Sequence, residues 1–250
     1  MAGHSKWAQI KRQKAVTDAK RGQAFTKIGR ELTIAAQHGG SDLTANVRLE
    51  QALARAKAAN MPKDTIERAI QRGSGGGSDG EQLEEITYEG YAHSGTGILI
   101  EVVTDNRNRS VAEVRNALTR LGGTFAEAGA VAWQFSQRGA IEVSLGNHAV
   151  DDVELAAIDL GVIDVEHTED LVHVYTEATD LDRVKTQFEE IGHKVVSAEL
   201  TMIPRTPATL DEKDSARVLG IVEALEELDD VRRVHVNVEL SENLLVQLAT

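Results

Sequence analysis

The sequence has no cysteine, which excludes a disulfide framework, a thiolate metal site and a cysteine nucleophile. Proline occurs at only 3 positions, unlike a collagen-like or proline-rich disordered chain. No apolar run approaches the roughly 18 residues of a membrane span, and the opening MAGHSKWAQIKRQK lacks the apolar stretch of a secretory signal. The expectation is a cytoplasmic protein that engages no membrane.

What is present is an ordinary globular composition: 250 residues, 41% hydrophobic and 27% charged. That length suits two or three compact units. The net charge of −13 would by itself repel phosphate, but it is unevenly divided. Residues 1 to 72 hold fourteen Lys and Arg against six Asp and Glu, while residues 73 to 250 hold thirteen against thirty-four. A basic leading segment and an acidic body suit a protein that meets a polyanion with one part only. Two differently solvated domains would give the same imbalance.

The tract RGSGGGSDGE at 72 to 81 reads as a flexible linker closing a first domain. Before it, Phe25, Ile28, Leu32 and Ala35 recur at helical spacing and Gly39-Gly40 offers a stop. A second helix carries Val47, Leu49, Ala52, Leu53, Ala56 and Ala59 inward, leaving Arg48, Arg55 and Lys57 outside. A third opens at Met61-Pro62 and buries Ile66, Ala69 and Ile70. Met1 to Arg21 reads as a basic arm or a partly docked helix; a mitochondrial transit peptide is the competing reading.

After the linker, EITYEGY and GILIEVVT suit a hairpin. DNRNRSVAEVRNALTRLGG reads as a helix with a Ser110 and Glu113 capping box, a stripe of Val111, Val114, Leu118 and Leu121, and a stop at Gly122. VAWQF returns as a strand. Residues 139 to 203 then give strand, helix, two strands, helix and strand, the ferredoxin-like βαββαβ order. The final helix, DEKDSARVLGIVEALEEL, and the strand VRRVHVNV fall outside that finished unit and close the earlier segment. The fold class is therefore α+β: an N-terminal helical bundle plus two ferredoxin-like α/β domains, the last inserted into the second. The expected boundaries are 1–75, 82–138 with 204–240, and 139–203.

Little points to catalysis. The eight histidines show no i, i+4 ligand pair, and His167 and His173 read as solvated strand ends. YEGYAHSGTG is followed by a strand, not by the helix N-terminus a phosphate loop requires, so close strand packing explains its glycines better. The carboxylates of EALEELDD at 223 to 230 read as the outer face of a helix. No metal, cofactor or enzyme activity is expected, although a site assembled from distant segments stays open.

Two features remain. One is the leading basic stretch, whose Lys and Arg would displace counterions from a phosphate backbone and whose Trp7 either stacks on a base or pins the arm to the bundle. The other is DNRNRS, where Arg107 and Arg109 offer forks for phosphate and Asn106 and Asn108 add hydrogen bonds. Its plain alternative is a helix cap with exposed arginines.

GHSKW, DAKRGQAFTKIGREL, KAANMPKDTIERAI, EEITYEGY and TDNRNRSVAEVRNAL resemble the signature blocks of the YebC family, also called YebC/PmpR, over essentially the whole chain. The resemblance implies three domains around a cleft, no catalysis, and a surface for DNA at promoters or for ribosomal RNA, with ribosomal proteins as further partners. The matching basic block is His4, Lys6, Trp7, Lys11, Arg12, Lys14, Lys20, Arg21, Lys27 and Arg30, and the matching arginine loop is Asn106, Arg107, Asn108 and Arg109. Gln13 replaces a usual basic residue, and Ala92-His93-Ser94-Gly95 stands in place of a Gly and Pro-rich turn. With no helix-turn-helix evident, the reading favours RNA and a translation factor over a promoter-binding regulator. A ligand-binding protein or enzyme using the cleft is the third possibility.

Overall fold

The computed structural model describes residues 18–75, 82–168 and 170–239, with side chains from residue 22 onward. The chain divides into two compact units. One runs from Asp18 to Ala132 and takes in Ala216–Val236; the other comprises Trp133–Ser215 and the described residues from Asn237 to Glu239.

The first unit begins with three helices, α1 (Asp18–Gly39), α2 (Val47–Ala58) and α3 (Lys63–Gly73). Leu32 and Ala35 of α1, Leu49, Ala52 and Ala56 of α2, and Ile66 and Ala69 of α3 form one buried cluster, with Phe25, Ile28, Leu53 and Ile70 packed against it. Burial of these stripes is what holds α2 and α3, which at 12 and 11 residues are marginal alone. Asn46 fixes the turn between α1 and α2. Its Oδ1 accepts from Leu49 N–H at 3.0 Å, and its Nδ2 donates to the Ala35 and Gly40 carbonyls at 2.8 Å. Three expectations change here. Val47 is exposed, and Arg48 and Arg55 turn toward carboxylates. Arg72 and Gly73 end α3 and do not open a linker. Gly73 lies against α1 so closely that a Cβ would stand 2.1 Å from the Thr33 carbonyl oxygen.

A four-stranded antiparallel sheet follows, ordered β3-β1-β2-β9: β1 (Glu84–Tyr91), β2 (Gly97–Thr104), β3 (Thr124–Ala126) and β9 (Val231–Val236). The β1–β2 hairpin forms as its alternation requires, with Glu84 opposite Thr104 and Tyr91 opposite Gly97. Helix α4 (Arg107–Arg120) packs on β1, β2 and β3. Its cap differs from expectation: Asn106, not Ser110, is the N-cap, and Ser110 is buried inside the helix. The VAWQF strand also changes. Ala132–Gln134 form a short 3-10 turn and Thr124–Ala126 supply the strand. Gly90 makes room for that pairing, since a Cβ there would meet Thr124 O at 2.9 Å and a Leu118 methyl at 3.1 Å. Close backbone packing thus accounts for this glycine, although the neighbours include a helix as well as a strand. Helix α7 (Glu212–Glu226) returns the chain to the sheet, with Val218, Ile221, Val222 and Leu225 buried.

The second unit has the expected βαββαβ order: β4 (Phe135–Ser144), α5 (Val150–Asp159), β5 (Asp164–His167), β6 (Leu171–Glu177), α6 (Leu181–Glu190) and β7 (Lys194–Pro204). Its antiparallel sheet is ordered β5-β6-β4-β7, so the first and third strands lie at the centre. Ile141, Val143, Val172 and Val174 of the sheet pack against Val153 and Ala157 of α5 and Val184 and Phe188 of α6. A short parallel pair, β8 (Ala208–Thr209) with β10 (Val238–Glu239), completes the unit.

Candidate nucleic-acid interface

His4, Lys6, Trp7, Lys11, Arg12 and Lys14 lie outside the described residues. Lys20 and Arg21 fall on the first turns of α1. The remaining candidates, Lys27, Arg30 and Asn106 to Arg109, all belong to the first unit.

Lys27 and Arg30 do not stand open to solvent. The Lys27 ammonium donates to the Glu226 carbonyl at the end of α7, and burial lowers its pKa to about 8 against the pull of Asp229. Arg30 donates to the Asp229 carbonyl and pairs with Asp230 at 2.8 Å. Arg109 reaches the same carboxylate, at 3.0 and 2.8 Å from its two oxygens, and Asp105 at 2.6 Å. Asp230 is therefore a knot joining α1, α4 and the start of β9. Its Oδ2 also accepts from Thr104 Oγ1 at 2.8 Å and from Ser110 Oγ at 2.6 Å. Burial alone would raise the Asp230 pKa, but the bonds from Ser110, Arg109 and Thr104 and the charge of Arg30 outweigh it and hold it below the usual value. The sequence reading put the carboxylates of 223 to 230 on an outer helix face; Asp230 is instead buried, with a side chain 4% exposed.

A second set of ion pairs tightens the same region. Arg232 of β9 donates to Glu31 of α1 at 3.1 Å and lies 3.8 Å from Glu101 of β2. Glu31 also pairs with Arg55 at 3.3 Å, and Arg48 binds Glu85. His235 Nε2 lies 3.0 Å from Glu101. Burial opposes ionisation of Glu101, but the His235 hydrogen bond and the charges of His235, Arg233 and Arg232 win, lowering its pKa to about 2. Half-buried arginines fastened to carboxylates stabilise an arrangement of elements; they do not present free charge to a ligand.

The arginine loop splits accordingly. Asn106 accepts from Arg109 N–H at 3.0 Å as the cap of α4, and Arg109 belongs to the Asp230 knot. Arg107 and Asn108 are exposed in the first turn, and among the described residues Arg107 has no carboxylate within 4.0 Å. So the loop is both a cap and a pair of outward-facing polar groups.

Of the two histidines read as solvated strand ends, one departs from expectation and one does not. His173 is buried within β6, 3.8 Å from Glu142, and is no solvated strand end. His167 is exposed, 3.0 Å from Glu154. Sequence reasoning also passed over Glu89, whose buried carboxylate gathers the backbone N–H groups of Gly129, Val131 and Ala132; an acidic residue set between Tyr88 and Gly90-Tyr91 in a β-rich run was the available signal. Among the described residues no group of three or more His, Asp or Glu could hold a metal ion, and no helix is long and apolar enough to cross a membrane.

These elements define a class: an α+β chain whose helical leading region precedes two sheet domains, one inserted in the other. Two family models match, described as the TACO1/YebC protein N-terminal domain over residues 5–76 and the TACO1/YebC second and third domain over residues 83–238. A "Probable transcriptional regulatory protein" of Roseiflexus castenholzii is 47% identical, with 100% of each chain covered. One of the same description from Aeromonas hydrophila is 47% identical over 99% of this chain and 100% of that one. The crystal structure of a conserved hypothetical protein from Aquifex aeolicus superposes with a TM-score of 0.83 at 39% identity, covering 90% of this chain and 93% of that one. The chain belongs to the TACO1/YebC family.

Proposed function

We propose that this chain is a non-enzymatic, nucleic-acid-binding regulator of gene expression, acting in the cytoplasm on ribosomal RNA to relieve stalled elongation. The observation that carries the reading is the charge division: fourteen basic against six acidic residues up to residue 72, and thirteen against thirty-four beyond it. Counterion release favours the first part on a phosphate backbone, and repulsion holds the acidic remainder away from it. On this reading the working parts are the domains 1–75, 82–138 with 204–240, and 139–203. His4, Lys6, Trp7, Lys11, Arg12, Lys14, Lys20 and Arg21, with Arg107 and Asn108, meet the polymer. Lys27, Arg30, Asn106 and Arg109 hold the surface in place, because their polar ends are bound within the protein.

A second reading, promoter DNA, is favoured by the printed description of the relatives as probable transcriptional regulatory proteins. The two separate in one experiment. Cross-linking in lysate, followed by sequencing of the attached nucleic acid, should recover ribosomal RNA over genomic DNA. Recovery of defined promoter fragments would favour the second reading. Binding insensitive to salt would sink both, since about five phosphate contacts require a log–log slope near −3.5 on single strands or −4.5 on duplex DNA.

A further inference from the structure

Between α1 and α3 the first unit holds a groove of about 300 Å³. Phe25, Gly29 and Thr33 of α1 and Met61 and Ala69 line its floor; Thr26 and Arg30 stand on one rim, Thr65, Arg68 and Arg72 on the other. Gly29 keeps the floor open, its nearest side-chain neighbour being the Met61 methyl at 3.7 Å from a Cβ position. The two helices are fixed to each other here. Thr33 Oγ1 lies 2.9 Å from the Gly29 carbonyl and 3.0 Å from that of Ala69, and Gly73 permits backbone contact.

The charge of this groove is unlike that of the ion-pair networks beside it. Arg68 and Arg72 are four apart on α3 and so share one face, about one helical turn from each other. Among the described residues neither has a carboxylate within 4.0 Å. Arg68 Nε donates to the Asp64 carbonyl at 3.1 Å, which anchors the guanidinium and leaves its terminal nitrogens to act on a ligand. Among the described residues the one carboxylate in the lining is Asp105, already bound by Arg109 at 2.6 Å. Two arginine forks with the Thr65 hydroxyl beside them match a phosphate, which takes planar paired donors better than a point charge. The apolar floor matches the flat face of a base. A volume of about 300 Å³ sits at the small end of ligand pockets; it admits one nucleotide, and only when that nucleotide is unstacked from its neighbours.

We propose that the α1–α3 groove takes one nucleotide unit of a single strand, its phosphate held between Arg68 and Arg72 and its base laid on Met61 beside Phe25. This rests on the nucleic-acid reading above and gives it a seat that neither the leading basic segment nor the arginine loop supplies.

The test uses the full chain and an oligouridylate of about twelve nucleotides, within the usual single-strand site size. Arg68→Gln with Arg72→Gln should weaken binding at least tenfold and flatten the log–log salt slope by about 0.7, the value of one lost phosphate contact. Lys57→Gln with Lys63→Gln removes equal charge from exposed positions outside the lining and should lower affinity far less. In parallel, uridine 5′-monophosphate should shift the Met61 methyl resonance in the native chain and not in the arginine variant, and uridine without phosphate should shift neither. Equal losses in the two variants, or a Met61 methyl indifferent to the monophosphate, would overturn the proposal. No oligouridylate binding with an intact Met61 response would instead overturn the single strand as occupant, and with it the RNA reading of the preceding section.

Discussion

Arg30 of α1 and Asp230 at the start of β9 are joined by a 2.8 Å ion pair although exactly two hundred positions separate them in the chain. The carboxylate is almost wholly enclosed and also serves Arg109, Thr104 and Ser110. Removing one partner of a buried pair costs about 3–5 kcal/mol, so Asp230→Ala should destabilise the first unit by that order in urea unfolding. In the Asp230→Ala background, Arg109→Ala should cost much less than it does in the native chain. Additive losses would show that the two residues are not coupled.

Acid should loosen the same region. Asp230 and Glu101 both have depressed pKa values, that of Glu101 reaching about 2. A carboxylate of this kind contributes stability that is fully present above its unfolded pKa and is lost as pH falls through the folded one. For Glu101 the window runs from 4.5 down to about 2. Glu101→Gln should therefore lower Tm at neutral pH, and the gap from the native chain should close across that window. A constant gap would contradict the assignment.

Lys27 has the opposite pH behaviour. Its pKa falls from 10.5 to about 8 because burial disfavours the ammonium, so its charge opposes folding at neutral pH and that cost is relieved as pH rises from about 8 to 10.5. Lys27→Met should raise Tm at pH 7, with the advantage shrinking toward pH 10. A lower Tm at pH 7 would mean that the bond to Glu226 outweighs burial.

Gly73→Ala tests the α1–α3 contact. The added methyl would lie 2.1 Å from the Thr33 carbonyl and 2.9 Å from the Ala36 Cβ, so a helix must move. Overpacking of this kind costs about 1–3 kcal/mol, readable in the urea midpoint. Glu31→Ala, by contrast, removes the ion pairs to Arg55 and Arg232 and should leave the helical cluster intact, as judged by Met61 methyl shifts.

At the exposed end of the arginine loop, Arg107→Gln should weaken binding to all nucleic-acid sequences alike and reduce the salt slope by about 0.7 on a single strand. Its fold stability should stay within about 0.5 kcal/mol, as for surface changes generally. Loss confined to one sequence would point to base reading instead.

The helical stripes and the βαββαβ order were legible because burial imposes a period on the residues, and the buried sides of Leu32, Leu49 and Ile66 or of Ile141 and Val174 carry that period. The cap of α4 was misassigned for a local reason. DNRNRS offers Asp105, Asn106, Asn108 and Ser110 in six positions, and composition does not choose among them; the Asp230 contact does, by drawing Ser110 into the helix. Likewise Thr124–Ala126 pair only because Gly90 opens space on β1. At the candidate site the sequence marked the basic residues but not their partners. Asp230, Glu31 and Glu101 look like any solvated acids until the fold brings distant segments together, and only then do Lys27, Arg30 and Arg109 become structural, while Arg68 and Arg72 have no carboxylate within 4.0 Å among the described residues.

The strands that open and close the βαββαβ segment lie side by side, with Phe135 directly opposite Pro204. Adjacent strands stand about 4.8 Å apart, so the chain leaves this module where it entered. A tight turn could bridge the gap in its place. Such geometry lets an engineer excise the βαββαβ segment without restringing the strands on either side of it.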